Sequence, residues 1–254
     1  HIVLGIGLCI IGEVKFVILL SPIFLAWVWL SPSYVKDVSK VNLKTLLVIV
    51  AGMLLLISLS IVILAYYYST AFGGDPSKSS LSIFIDSLSY IFDPNYIMST
   101  GELGRFTTFL FWLKNNDLWG LSGTLFGYGL NATNSGSTVS PGFLNIIYNL
   151  ILDSTSLSML LWEVGAIGTL LFVSLFIYIL KVCQPKPLLR LEQLDQQDLQ
   201  LLSFAPACNA VAISCLISLP YSQILMITPM LQFLFYLSLG ASLVIRRTVL
   251  RCVG

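Results

Sequence analysis

Residues 157–180 read LSMLLWEVGAIGTLLFVSLFIYIL, a stretch of 24 residues with a single charge at Glu163. A helix needs about 20 apolar residues to cross the hydrocarbon core of a bilayer, so this stretch predicts a membrane-spanning helix. Others flank it. Thr45–Ser69 is a clean span of 25 residues, and Leu201–Leu219 and Ile224–Ile245 follow on the other side. Ile2–Ile11 and Phe16–Leu30 are apolar too, the second with Pro22 inside it. Ile2–Ile11 is short for a span, as expected if the chain begins inside a helix of a longer protein. The fold class expected is an all-α polytopic membrane protein with about six transmembrane helices, the first truncated.

Composition supports this. Hydrophobic types make up 57% of the 254 residues and charged types 10%, against about 25% charged in soluble domains. Mean hydropathy is +0.91. So few charges cannot cover a water-exposed surface around that much apolar chain, which excludes a soluble enzyme and a disordered chain. A net charge of +1 offers no basic field to attract nucleic acid. The one histidine is His1, so no internal histidine is available for catalysis. The cysteines, Cys9, Cys183, Cys208, Cys215 and Cys252, lack the close pairing of zinc ligands. Neither a metal site nor a disulfide framework is expected.

Charge orients the spans. Loop 31–44 holds Lys36, Lys40 and Lys44; loop 181–200 holds Lys181, Lys186 and Arg190; the tail holds Arg246, Arg247 and Arg251. Alternation puts all three on one side, and the positive-inside rule makes that side the cytoplasm. Residues 12–15, 70–156 and 220–223 then lie outside. Three regions result: helices 1–69 with cytoplasmic loop 31–44, an extracytoplasmic region 70–156, and helices 157–254 with cytoplasmic loop 181–200 and a basic cytoplasmic tail. Segment 70–156 carries three basic and six acidic residues, a net of −3. No internal repeat is evident, so an inverted-repeat transporter is not supported.

The long external segment predicts short amphipathic helices. Leu81, Phe84, Ile85, Leu88, Ile91 and Phe92 fall on one helical face, as in a helix lying on a membrane surface. Ser99-Thr100-Gly101-Glu102 has the form of a capping box, opening a helix over about 100–114 with an apolar stripe of Leu103, Phe106, Leu110 and Leu113. A Gly/Ser/Thr/Asn-rich loop runs from Gly127 to Gly142. Phe143, Ile146, Ile147, Leu150 and Ile151 form a third apolar face, and Asn145, Asn149 and Asp153 a polar stripe on the same helix.

A few residues stand out as chemically able. Arg105, the one arginine outside the cytoplasmic side, suits a phosphate or pyrophosphate clamp because its planar fork matches phosphate oxygens; it equally suits a salt bridge with Glu102, three residues before it. Glu163 inside a span is costly and a functional candidate by default, or a helix–helix hydrogen-bond partner. Asp153 is a candidate base or a helix cap. Glu13 and Lys15 sit where an external cavity could take them. Gly127 and Gly129 could bring backbone N–H groups close to an anion, or form a turn.

Together these residues carry a resemblance. Gly12-Glu13-Val14-Lys15 lies between apolar runs, Gly104-Arg105-Phe106 opens an external helix, and Leu125-Phe126-Gly127-Tyr128-Gly129 follows. Leu160-Leu161-Trp162-Glu163-Val164-Gly165-Ala166-Ile167-Gly168 begins a span. The set resembles the C-terminal part of the bacterial O-antigen polymerase and O-antigen ligase superfamily. The resemblance implies a multi-pass protein of the bacterial inner membrane and a glycosyltransferase using no metal and no nucleotide cofactor. Its donor would be an undecaprenyl pyrophosphate-linked glycan, its surroundings membrane lipids and other polysaccharide assembly proteins. Arg105 matches a family arginine that holds the donor pyrophosphate. Ligase members carry a His-Asn pair before the Glu-containing span, where this chain has Asp153-Ser154-Thr155-Ser156. That departure favours a polymerase over a ligase transferring glycan to lipid A core and leaves the base open among Asp153, Glu102 and Glu163. Tyr128 and the polar loop suit sugar contact, as do Asn145 and Asn149. The rivals from other classes are a transporter or flippase-like subunit and a structural membrane subunit.

Overall fold

The computed structural model describes residues 89–136, 140–183 and 196–253, with Ser82 and parts of 47–66. The described residues are mostly helical and contain no strand, only the isolated bridges Ile97–Leu103 and Glu102–Ile151. The chain divides into two compact units, Leu88–Gln184 with Val211–Leu243, and His1–Ser87 with Pro185–Ala210 and Val244–Gly254.

Helix α1 is Ser89–Phe92, α2 Arg105–Asn115, α3 Leu121–Phe126, α4 Phe143–Tyr148 and α5 Ser156–Glu163. Then come α6 Gly165–Val182, α7 Gln196–Ser203, α8 Ala205–Ser218, α9 Ile224–Ile227 and α10 Pro229–Val253. Among the described residues three stretches are long and apolar enough to cross a membrane: Gly165–Val182, Gln200–Ser218 and Pro229–Thr248. The shorter apolar helix Val50–Ile63 falls in the expected span Thr45–Ser69. The expected spans Ile2–Ile11 and Phe16–Leu30 lie outside the described residues, as does most of the expected helix over 81–92.

Several expected boundaries are corrected. The span expected over 157–180 is two helices. α5 ends at Glu163, Val164 caps it, and Gly165 restarts the chain with φ +72, a left-handed conformation that a side chain disfavours. Glu163 therefore ends a short helix instead of lying two turns inside a span. The helix expected from Thr100 begins at Arg105, because Gly101 has φ +83 and Gly104 takes the N-cap position. The third amphipathic helix stops at Tyr148, where Asn149 turns left-handed with φ +52. Asn145, Asn149 and Asp153 thus do not share a helix. The span from Ile224 breaks at Thr228, and Pro229 opens α10, where its missing N–H costs nothing. α3 carried no expectation at all.

In the larger unit one core gathers Leu103, Trp112, Tyr128, Leu144, Leu152, Leu161 and Trp162. Trp162 is its centre, with rings of Phe111, Tyr128 and Tyr148 packed around it at centroid distances of 6.3, 5.6 and 5.7 Å. A second core joins Phe176 and Leu180 of α6 to Ala212 and Cys215 of α8, Leu225 of α9, and Phe235 and Leu239 of α10. α2 turns Thr107, Thr108 and Trp112 inward, while Phe106 and Leu113 of its expected apolar stripe are exposed. In the other unit Leu202, Ala205 and Ile245 pack together.

Candidate functional site

The residues before α5 form a buried polar turn. Asp153, Ser154, Thr155, Ser156 and Ser158 are all buried, and their hydroxyls find partners as burial requires. Thr155 caps α5 by accepting from the Ser158 N–H at 3.0 Å, so the cap expected at Asp153 is two residues further on. The Ser156 hydroxyl and N–H both donate to the Ser222 carbonyl, at 2.7 and 3.0 Å. The Leu157 N–H donates to Leu219. The Ser158 hydroxyl donates to the Leu152 carbonyl at 2.6 Å and meets the Thr108 hydroxyl at 3.0 Å.

Freed from capping, Asp153 faces the loop that follows Gly129. Its Oδ2 accepts from the Ser135 hydroxyl at 2.6 Å and the Ser135 N–H at 3.1 Å. Its buried Oδ1 accepts no hydrogen bond among the described residues. Glu163 reaches the same loop. Its Oε1 accepts from the Thr133 hydroxyl at 2.9 Å. Asp153 and Glu163 then line one cavity of about 410 Å³, together with Asn131, Asn134, Ser135 and Gln223. Two carboxyl-bearing and three carboxamide-bearing residues line it. A second cavity of about 400 Å³ shares Ser135 and is lined also by Thr100, Asn145 and Asn149.

Arg105 stands beside this turn, not in it. Its Nη1 donates to the Ser154 carbonyl and lies 3.3 Å from Glu102 Oε1. The guanidinium sits 5.7 Å from the Tyr90 ring centroid and 6.0 Å from that of Tyr221, and those two hydroxyls meet at 2.8 Å. Its Nε is buried without a hydrogen-bond partner among the described residues. Arg105 and Glu102 are thus paired as their spacing allows, and neither lines the cavity of Asp153 and Glu163.

Gly127, Tyr128 and Gly129 are held otherwise than expected. Their N–H groups donate to the carbonyls of Gly123, Trp162 and Glu163 at 2.9, 2.8 and 3.0 Å. Of the two readings, anion cradle or turn, the glycines form the turn, both with positive φ, and a backbone seam joins the loop to the end of α5. Tyr128 is buried, and its hydroxyl donates to the Asn116 carbonyl at 2.6 Å, so its ring packs the core instead of meeting a sugar. Burial pushes the phenols of Tyr128 and Tyr148 above their ordinary range. Asn145 braces the loop from below: its Nδ2 donates to Thr133 and its Oδ1 accepts from Leu152 N–H. Glu13 and Lys15 lie outside the described residues.

Of the residues around the carboxyl groups, Thr133, Ser135, Asn131, Asn134 and Gln223, none was singled out for this site from sequence, although Asn131-Ala132-Thr133 has the form of an N-glycosylation sequon. The signal for the first four was the polar loop 127–142 as a whole. For Gln223 it was a polar turn between two apolar runs. Gln232, a polar residue within the third membrane-crossing stretch, donates its side-chain amide to the Met226 carbonyl at 2.8 Å and so mends the break before α10. The chain matches no protein-family model, no curated protein and no solved structure.

Proposed function

We propose that the protein is a multi-pass enzyme of the bacterial inner membrane that polymerises glycan repeat units carried on undecaprenyl pyrophosphate at the outer face of that membrane. The observation that supports this reading best is the cavity shared by Asp153 and Glu163 beside the head of a membrane-crossing helix. An acceptor hydroxyl attacks the anomeric carbon of the donor sugar. The new C–O bond replaces the bond to pyrophosphate, which leaves with the electron pair, and a carboxylate takes the acceptor proton. Asp153 is assigned that role. Its Oδ1 lacks a donor among the described residues, and a carboxylate oxygen without a partner is costly, so a sugar hydroxyl donating to it is favoured. Glu163, held by Thr133, orients the acceptor. Glu102 supports Arg105. Arg105 fixes Ser154, the neighbour of Asp153, and draws positive charge toward the leaving pyrophosphate.

The topology belonging to this reading has six crossings, with 70–156 outside and 31–44, 181–200 and the tail inside. Cysteines introduced at 134–136 should react with an impermeant label from outside, and those at 186–198 should not.

The decisive experiment compares Asp153→Asn, Glu163→Gln and wild type in the full-length protein, scored as polymer made per amount of inserted protein. Asp153→Asn is expected to lose at least tenfold at unchanged abundance, and Glu163→Gln to retain more. Normal polymer from Asp153→Asn with an inactive Glu163→Gln would remove Asp153 as the base and reverse the two roles.

A further inference from the structure

We infer that residues 118–130, the turn built around α3, are immersed in the membrane, their apolar side chains meeting lipid acyl chains. The segment reads LWGLSGTLFGYGL and holds no charged residue, although Lys114 and Asp117 stand just before it. Its large apolar side chains point away from the protein: Trp119 is 57% exposed, Leu121 72%, Phe126 67% and Leu130 82%. In water so dense an exposed apolar patch is unfavourable. In lipid it is the expected surface.

The backbone supports the same conclusion. Hydrocarbon offers no water, so irregular chain survives there only if its polar groups are paired within the protein. Six backbone N–H groups and three hydroxyls of this segment are. Gly120 N–H donates to Asp117, Gly123 and Thr124 N–H to Gly120, and Gly127 N–H to Gly123. Tyr128 and Gly129 N–H cross to Trp162 and Glu163. The hydroxyls follow: Ser122 donates to the Trp119 carbonyl, and Thr124 and Tyr128 to Asn116. A surface loop bathed in water does not need so many internal bonds.

Position names the occupant. α3 packs against α6, one of the three helices able to cross a membrane. A segment lying along the first turns of such a helix shares its solvent. Trp119, stacked on Phe143 with ring centroids 5.6 Å apart, has the amphipathic ring favoured at the lipid–water boundary. The inference does not depend on the reaction proposed above.

The test places a nitroxide at Leu121→Cys, Phe126→Cys, Leu130→Cys and, as control, Gly136→Cys, in the otherwise cysteine-free full-length protein. The protein is reconstituted in phosphatidylcholine–phosphatidylglycerol vesicles. Collision with dissolved oxygen should exceed collision with a water-soluble nickel chelate several-fold at 121, 126 and 130, and the order should reverse at 136. Free access of the nickel chelate to 121 and 126 would overturn the inference, as would exclusion of both reagents, which would mean cover by another protein surface. A second measurement uses the unsubstituted chain: a phospholipid with a diazirine in its acyl chain should attach within 118–130 and not within 131–136. Attachment absent from 118–130 would overturn the inference independently of any variant.

Discussion

Gly127 and Gly165 meet backbone to backbone. A methyl group on Gly127 would lie 2.6 Å from the Gly165 nitrogen, and one on Gly165 would lie 2.5 Å from the Gly127 nitrogen. Both residues have positive φ, +77 and +72. The contact welds the loop after α3 to the joint between α5 and α6.

Gly127→Ala and Gly165→Ala should therefore destabilise strongly. Each adds a conformational cost of about 1–3 kcal/mol to a clash with backbone that cannot step aside. Gly129→Ala separates the two causes. Gly129 has φ +96, but nothing stands within 4 Å of its missing side chain. It should cost only the conformational part. Thermal unfolding of the three variants in detergent checks the order, and equal losses at all three positions would contradict it.

Arg105 should tolerate loss of its ion pair better than loss of its fork. The pair with Glu102 is partly exposed, with side chains 22% and 29% accessible, and such pairs are worth about 0–1 kcal/mol. Glu102→Gln is expected to stay within that range. Ser154 is buried and takes its hydrogen bond from the guanidinium, while the two tyrosine rings add a cation–π contribution of about 0.5–2 kcal/mol. Arg105→Lys keeps the charge and loses the fork, so it should lower both stability and polymer yield well beyond Glu102→Gln. A lysine variant equal to wild type in both readouts would refute this.

Ser135 and Thr133 hold the two carboxyl groups, and their variants should differ from one another. Ser135→Ala removes the hydroxyl donor to Asp153 and leaves the carboxylate with one N–H, at a cost of about 1.5–3 kcal/mol for a hydrogen bond to a charged group. Thr133→Val keeps volume and removes the hydroxyl donor to Glu163. Under the roles proposed here, Ser135→Ala lowers the turnover of polymer synthesis and Thr133→Val chiefly raises the acceptor KM. The reverse split would exchange the roles.

Alkaline titration should find Tyr128 and Tyr148 ionising above the ordinary phenol value. Burial raises both above the usual value of 10.0. A raised phenol pKa in the folded state means that the fold holds the proton more tightly than the unfolded chain. The stabilisation is complete below about pH 10 and is lost as pH rises through the folded-state values. Tyrosinate absorbance should thus rise last together with unfolding, and Tyr148→Phe should remove one late-ionising group. Ionisation of all tyrosines in one early, reversible step with the fold intact would contradict this.

The three membrane-crossing stretches were legible because their signal is length and apolarity, which one window of sequence contains. Their breaks were not. The turn at Gly165 depends on Gly127, 38 positions earlier, and no local pattern announces a partner so far away. Of the apolar stripe read on the helix before Asn115, Phe106 and Leu113 point outward while Thr107 and Thr108 point in. A stripe tells which side is apolar and not what covers it, and where the solvent is lipid the inward face can be the polar one. Asp153 and Glu163 were noticed singly, as a charge before a span and a charge within one. Their common cavity was not legible, because it is closed by Ser135 and Thr133, two hydroxyls in a loop whose composition predicts only irregular chain.

The break at Val164 also fixes a length. α6 has 18 residues, which at 1.5 Å each rise about 27 Å, and the hydrocarbon core of a bilayer is about 30 Å thick. A helix cut to that length has no surplus to take up by tilting, so a thicker bilayer must either thin around it or draw on its ends. One of those ends is Gly165, two residues after Glu163. Acyl-chain length thereby bears on the seat of the carboxyl group, and synthesis measured in vesicles of graded chain length would trace it.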